Sequence, residues 1–145
     1  MNIGPDLSRF SRQLRDYEGE MSKPYICSGG YISIGVGRNL DTVGLSRDEI
    51  DILLRNDITR VCTLAKQEPW WPMVANNDAR ARALLDMLFN LGLGGLRSFR
   101  RMLAAIERGD WAEAAIEIEN SKYFTQVGRR ARDNQYRIRH GRDPE

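Results

Sequence analysis

The sequence predicts an α+β fold: a first helix, a small sheet, then a larger all-helical lobe. Three observations predict it. Apolar residues recur every three or four positions before residue 18; glycines with β-branched and aromatic residues fill 24–40; and after Leu40 the helical period returns. At 145 residues the chain reads as one domain, 1–145, long enough to bury about 70% of its unfolded surface.

Helix 1 is expected over about 6–17, where Leu7, Phe10, Leu14 and Tyr17 share a face, with Gly19 and Pro24 fitting its end. A β lobe follows over about 19–45. Ser28-Gly29-Gly30 marks a turn, and Tyr31-Ile32-Ser33-Ile34-Gly35-Val36-Gly37 a tightly bent hairpin or meander. The helical lobe covers about 46–145. Ser46 and Glu49 form a capping box, opening a helix with the apolar stripe Ile50, Leu53, Leu54, Ile58, Val61, Cys62 and Ala65. Pro69 and Pro72 bracket a connector. Asn77 or Asp78 caps a helix to about Leu91, with Ala81, Leu84, Leu85, Leu88 and Phe89 inward, and Gly92, Gly94 and Gly95 break it. A segment from Leu96 to Arg108, a helix from Trp111 to about Asn120 capped by Asp110, and a last helix from about Gly128 to Arg139 complete the chain.

Composition narrows the function. Hydrophobic residues make up 41% and charged residues 29%, the pattern of a globular protein. No apolar run reaches the roughly 20 residues of a membrane span, and no secretory signal is visible at the N-terminus. A net charge of +2 does not demand nucleic acid, and no aromatic platform beyond Tyr136 accompanies the Arg-rich end. One His argues against a His-based metal site, two Cys make no disulfide framework, and no cofactor is implied. Cys62, on an apolar stripe, reads as a core residue.

Glu18 is the first candidate for chemistry. A helix C-terminus disfavours a second anion there, and partial burial would push a carboxyl toward general-acid behaviour; an ordinary solvated helix-end Glu is the alternative. Cys27 follows nine residues later and Ser33 six after that. In an antiparallel hairpin the three could converge on a cleft between two lobes, a hydrolase arrangement whose spacing alone names no substrate.

Tyr17-Glu18-Gly19 followed by Tyr25-Ile26-Cys27-Ser28-Gly29-Gly30-Tyr31-Ile32-Ser33-Ile34-Gly35-Val36-Gly37 closely resembles the active-site signature of phage-type lysozymes, glycoside hydrolase family 24. Leu88-Phe89-Asn90-Leu91-Gly92, Trp111-Ala112-Glu113-Ala114-Ala115 and, loosely, Gly128-Arg129-Arg130-Ala131-Arg132 resemble later segments of the family in the right order. The resemblance implies a lysozyme-like fold. It also implies a muramidase that cleaves the β-1,4 bond between N-acetylmuramic acid and N-acetylglucosamine, for host lysis or wall penetration by a bacteriophage. Glu18, Cys27 and Ser33 would be catalytic. Asn90, facing Glu18, would bind substrate with Tyr31, Phe89 and Arg130, the last a cation near Glu18. Two positions depart from the family: its Asp is Cys27 and its Thr is Ser33. Only about eight residues, 38–45, separate the G-x-G from the next capped helix, so part of the cleft's upper wall is expected to be missing.

The Cys leaves two alternatives open: a lytic transglycosylase using Glu18 alone, and a weakened wall-binding relative. Peptidoglycan is the expected partner, with anionic envelope polymers attracted to six Arg between 129 and 142. A monomer is expected, made in the host cytoplasm and reaching the wall through a holin or in a virion.

Overall fold

The computed structural model describes residues 4–145. The fold is α+β, with a helix, a three-stranded antiparallel sheet and then helices, consistent with a lysozyme-like fold. The chain divides into two compact units, Met1–Leu53 and Leu54–Glu145. No helix is long and apolar enough to cross a membrane.

In the first unit, α1 (Leu7–Glu18) starts at Asp6, whose carboxylate accepts the Arg9 N–H at 3.1 Å. It stops at Gly19, which takes φ 75° and donates its N–H to the Arg15 carbonyl. Strands β1 (Met21–Ile26), β2 (Ile32–Gly35) and β3 (Arg38–Asn39) run in sequence order. Tyr25 pairs with Ser33, and Ser33 with Asn39. Pro24 does not end the helix. It lies inside β1, where the register shifts between Met21 and Tyr25, as suits a residue with no N–H to give a ladder.

Beyond β3 the chain is held by side chains. The Asp41 carboxylate accepts the Ile32 N–H at 2.8 Å, and Asn39 Oδ1 accepts the Thr42 N–H. Arg38 reaches the Gly44 carbonyl and Glu49. The expected capping box forms: Glu49 N–H donates to Ser46 Oγ, and Ser46 N–H to Glu49 Oε1. Arg38, then the Ser46 amide, push the Glu49 carboxyl down to about 2.

Helix α2 (Arg47–Ala65) opens there. Its apolar stripe is not the core face the spacing suggested. Only Val61 and Ala65 are buried, because only the last turns of α2 reach the core of the second unit; Ile50, Leu53, Leu54 and Ile58 are exposed and Cys62 is half-buried.

The second unit continues with α3 (Trp71–Val74), α4 (Asp78–Arg97), α5 (Arg100–Glu107), α6 (Trp111–Glu119), α7 (Lys122–Val127) and α8 (Arg129–His140). Asn77 caps α4, and Asp110 caps α6. Gly92, at φ 73° and ψ 172°, kinks α4 rather than ending it, because the helix resumes to Arg97. Helix α7 was not foreseen; its six residues carry too short a period to read, although Ser121 caps it in the usual way. Helix α6 packs on both α5 and α8, and α8 also on α4. Ala83, Ala105, Ala114, Ala115 and Ala131 are fully buried and let the helices approach around Leu84, Met87, Ile106, Ile118 and Ile138. Arg80 donates to the Ile138 and Arg139 carbonyls, and Asn77 to the Gly141 carbonyl, so the start of α4 closes the end of α8.

Candidate active site

Glu18 is the last residue of α1, and its carboxyl lies against the backbone of Gly37. A Cβ on Gly37 would stand 2.8 Å from Glu18 Oε2 and 2.9 Å from its Cδ. Gly37 also holds φ +67°. Both facts require glycine. The Glu18 side chain is exposed, as in an ordinary solvated helix-end Glu.

Cys27 closes β1 at the turn to β2. Its N–H donates to the Tyr31 carbonyl, and the Gly30 N–H to the Cys27 carbonyl, both at 2.9 Å. The thiol is held below its ordinary value. The Tyr31 backbone amide contributes most, then that of Gly29, and the Ser33 hydroxyl adds a further donor; partial burial opposes them. Ser33, on β2, is 2% exposed. Tyr31 is exposed, with its ring edge over Gly29: a Cβ there would meet Tyr31 Cδ2 at 3.3 Å and Cys27 Sγ at 3.9 Å. The β-lobe candidates are therefore brought together by one turn and one ladder.

The other candidates lie on the second unit. Asn90 is exposed on α4, two residues before the kink at Gly92, with no side-chain hydrogen bond among the described residues. Phe89 was expected inward and is 47% exposed. It lines a cavity of about 450 Å³ with Leu54, Ile58, Cys62, Asp86 and Arg130. Cys62 therefore borders a cavity rather than filling the core. Both cysteines are free thiols.

Arg130 is engaged by a carboxylate: Nε and Nη2 both donate to Asp86 at 2.8 Å. Buried Asn134 donates to the same carboxylate at 2.7 Å and to the Tyr123 hydroxyl at 3.1 Å. Burial opposes ionisation of Asp86, yet Arg130 and Asn134 hold its carboxyl below the usual range. Asp86 escaped the sequence reading because it stands 44 positions from Arg130, beyond any local spacing rule.

The Arg-rich end is also less available than its composition suggested. Arg129 pairs with Asp133, and Arg137 with Asp143, which Arg82 also grips. These two guanidiniums push the Asp143 carboxyl down to about 2. Arg142 lies over the Tyr136 ring.

The family model for phage lysozyme matches residues 15–135. The chain belongs to the phage lysozyme family. It is 28% identical to "Probable T4-type lysozyme 2" of Dictyostelium discoideum, over 86% of this chain and 90% of that protein. It is 27% identical to "Pre-baseplate central spike protein Gp5" of Enterobacteria phage T4, over 88% of this chain but 27% of that protein. As a member of this family the protein is a glycosidase of the lysozyme class, a muramidase whose substrate is peptidoglycan.

Proposed function

We propose that Glu18 is the general acid and Cys27, as a thiolate, its partner in hydrolysis of the bond between N-acetylmuramic acid and N-acetylglucosamine. The observation that carries this reading is the pair of local frames. One seats the Glu18 carboxyl on Gly37; in the other the Tyr31 and Gly29 amides, with the Ser33 hydroxyl, hold the Cys27 thiol below its ordinary value. Glu18 donates its proton to the leaving oxygen as the glycosidic bond breaks, and positive charge grows on the sugar carbon. The thiolate stabilises that charge or draws the proton from an attacking water, which then supplies the new hydroxyl. Ser33 holds the thiolate, and Asn90, Tyr31, Phe89 and Arg130 are the residues that the family resemblance assigns to substrate contacts.

The biological setting is the opening of a bacterial wall by a phage, from the cytoplasm after a holin acts or from a virion. The spike relative supports the virion route and the amoebal relatives support neither. Wall polymers of negative charge would add contacts at Arg132 and Arg139, which form no ion pair among the described residues. Mass spectrometry of digested wall tests the chemistry. Reducing ends that vanish with Glu18→Gln are expected; anhydro-muramic ends would replace this mechanism with a transglycosylase acting through Glu18 alone.

A further inference from the structure

The peptide unit between Tyr31 and Ile32 is bonded at both ends. Its carbonyl, from Tyr31, accepts the Cys27 N–H at 2.9 Å, and its N–H, from Ile32, donates to the Asp41 carboxylate at 2.8 Å. In a regular antiparallel pair the Ile32 N–H would go to a backbone carbonyl of the facing strand. Strand β3 is two residues long. Past it the Leu40 N–H still reaches the Ile32 carbonyl at 2.8 Å, and the Asp41 side chain supplies the acceptor that the strand does not. Asp41 is itself placed by its neighbours: Asn39 Oδ1 accepts the Thr42 N–H, and the Asn39 carbonyl accepts those of Val43 and Gly44. Asp41 forms no ion pair among the described residues, so its carboxylate is not drawn off to a cation.

We infer that Asp41 is a positioning residue for the reaction, holding the Cys27 backbone through the Tyr31–Ile32 peptide. The inference rests on the reading that Cys27 takes part in hydrolysis. A carboxylate bonded to a peptide N–H strengthens the bond that the peptide's carbonyl accepts, because bonds in a chain polarise one another. That second bond closes the turn whose Tyr31 and Gly29 amides keep the thiol below its ordinary value. The ladder beside the turn is short. The β1–β2 register shifts between Met21 and Tyr25, which leaves Tyr25–Ser33 and Ile26–Ile32 as the regular pairs before the turn. The direction of the effect separates positioning from charge. A negative charge acting on the thiol through space would raise its pKa, so losing Asp41 would lower it. Positioning predicts the opposite: without Asp41 the turn loosens, its amides no longer favour the thiolate, and the pKa rises.

The test follows iodoacetamide labelling of Cys27 against pH in the full chain, read by peptide mapping. Asp41→Ala is expected to move the half-reaction pH up and to slow labelling about threefold near neutral pH. Asp41→Asn keeps an acceptor oxygen without the charge and should stay within about twofold of the parent. On solubilised wall glycan Asp41→Ala should lower kcat about fivefold with KM nearly constant, since a positioning residue acts on the reacting group rather than on binding. An unmoved or lowered half-reaction pH in Asp41→Ala would overturn the inference. So would an asparagine variant as impaired as the alanine one, or a change confined to KM. Hydrogen exchange in the parent chain needs no variant. Ile32 is 42% exposed, yet its amide should exchange as slowly as those of Cys27 and Leu40. Free exchange there overturns the inference even if Asp41→Ala fails to fold. A Cys27→Ala variant that clears wall as well as the parent sinks the catalytic reading, while labelling and exchange still judge the hold of Asp41 on Cys27.

Discussion

The Glu18 carboxyl and Gly37 occupy space that a single methyl would fill: a Cβ on Gly37 would lie 2.8 Å from Glu18 Oε2. Gly37→Ala should therefore act on catalysis through the acid. The positive φ alone destabilises the variant by more than about 1 kcal/mol, and the methyl must push the carboxyl aside. Wall-clearing activity should fall at least tenfold in a protein that still melts cooperatively. Normal activity in Gly37→Ala would show that the contact does not place the acid.

Cys27 should alkylate at lower pH than an ordinary thiol. A depressed thiol is thiolate at every pH above its lowered value, so its reaction with iodoacetamide should rise early and level off. Peptide mapping should find the label on Cys27 before Cys62, together with loss of activity. Cys27→Asp should keep substantial activity and Cys27→Ala far less. An alanine variant as active as the parent would make the thiol a bystander.

Ser33→Ala removes one donor to that thiol. The half-reaction pH of Cys27 alkylation should move up, toward the ordinary value, while Ser33→Thr restores it. The transition state should lose about 1–3 kcal/mol, the cost of a hydrogen bond to a charged group. An unmoved alkylation profile would remove Ser33 from this role.

Asp86→Ala strips Arg130 of its bidentate partner and Asn134 of an acceptor. Because the pair is half-exposed, the loss should be about 1–3 kcal/mol in a denaturant titration, below that of a buried pair. Arg130→Ala in the same background should add little, since the two share one interaction. Full additivity would show that they act independently.

Stability should decline on acidification over a defined window. Glu49 and Asp143 are each held at about 2, below the ordinary 4.5 and 3.8. A depressed carboxylate stabilises the fold fully above its unfolded value and loses that contribution as pH falls through the folded one. The melting temperature should thus decrease from about pH 4.5 down to about pH 2, and Asp143→Asn should flatten part of the slope. A slope unchanged in Asp143→Asn would mean that the grip of Arg82 and Arg137 adds no stability.

Most elements and their order were legible in the sequence, the short α3 and α7 excepted. The stop at Gly19, the capping box at Ser46 and Glu49, and the caps at Asn77 and Asp110 are contests among neighbouring backbone groups. They are won within three or four residues and are written locally. The spacing of Glu18, Cys27 and Ser33 was legible for the same reason, since one helix end and one hairpin carry all three. The tertiary structure alone decided how those groups are served. It set Gly37 under Glu18 and lowered the Cys27 thiol through the Tyr31 and Gly29 amides. It joined Arg130 to Asp86 and Asn134, left Phe89 at a cavity wall, and exposed most of the α2 stripe. A heptad-like pattern states which face of a helix is apolar but not how much of that face another helix reaches. A charge count states how many arginines there are but not which carboxylate, 44 residues away, packing brings beside one of them.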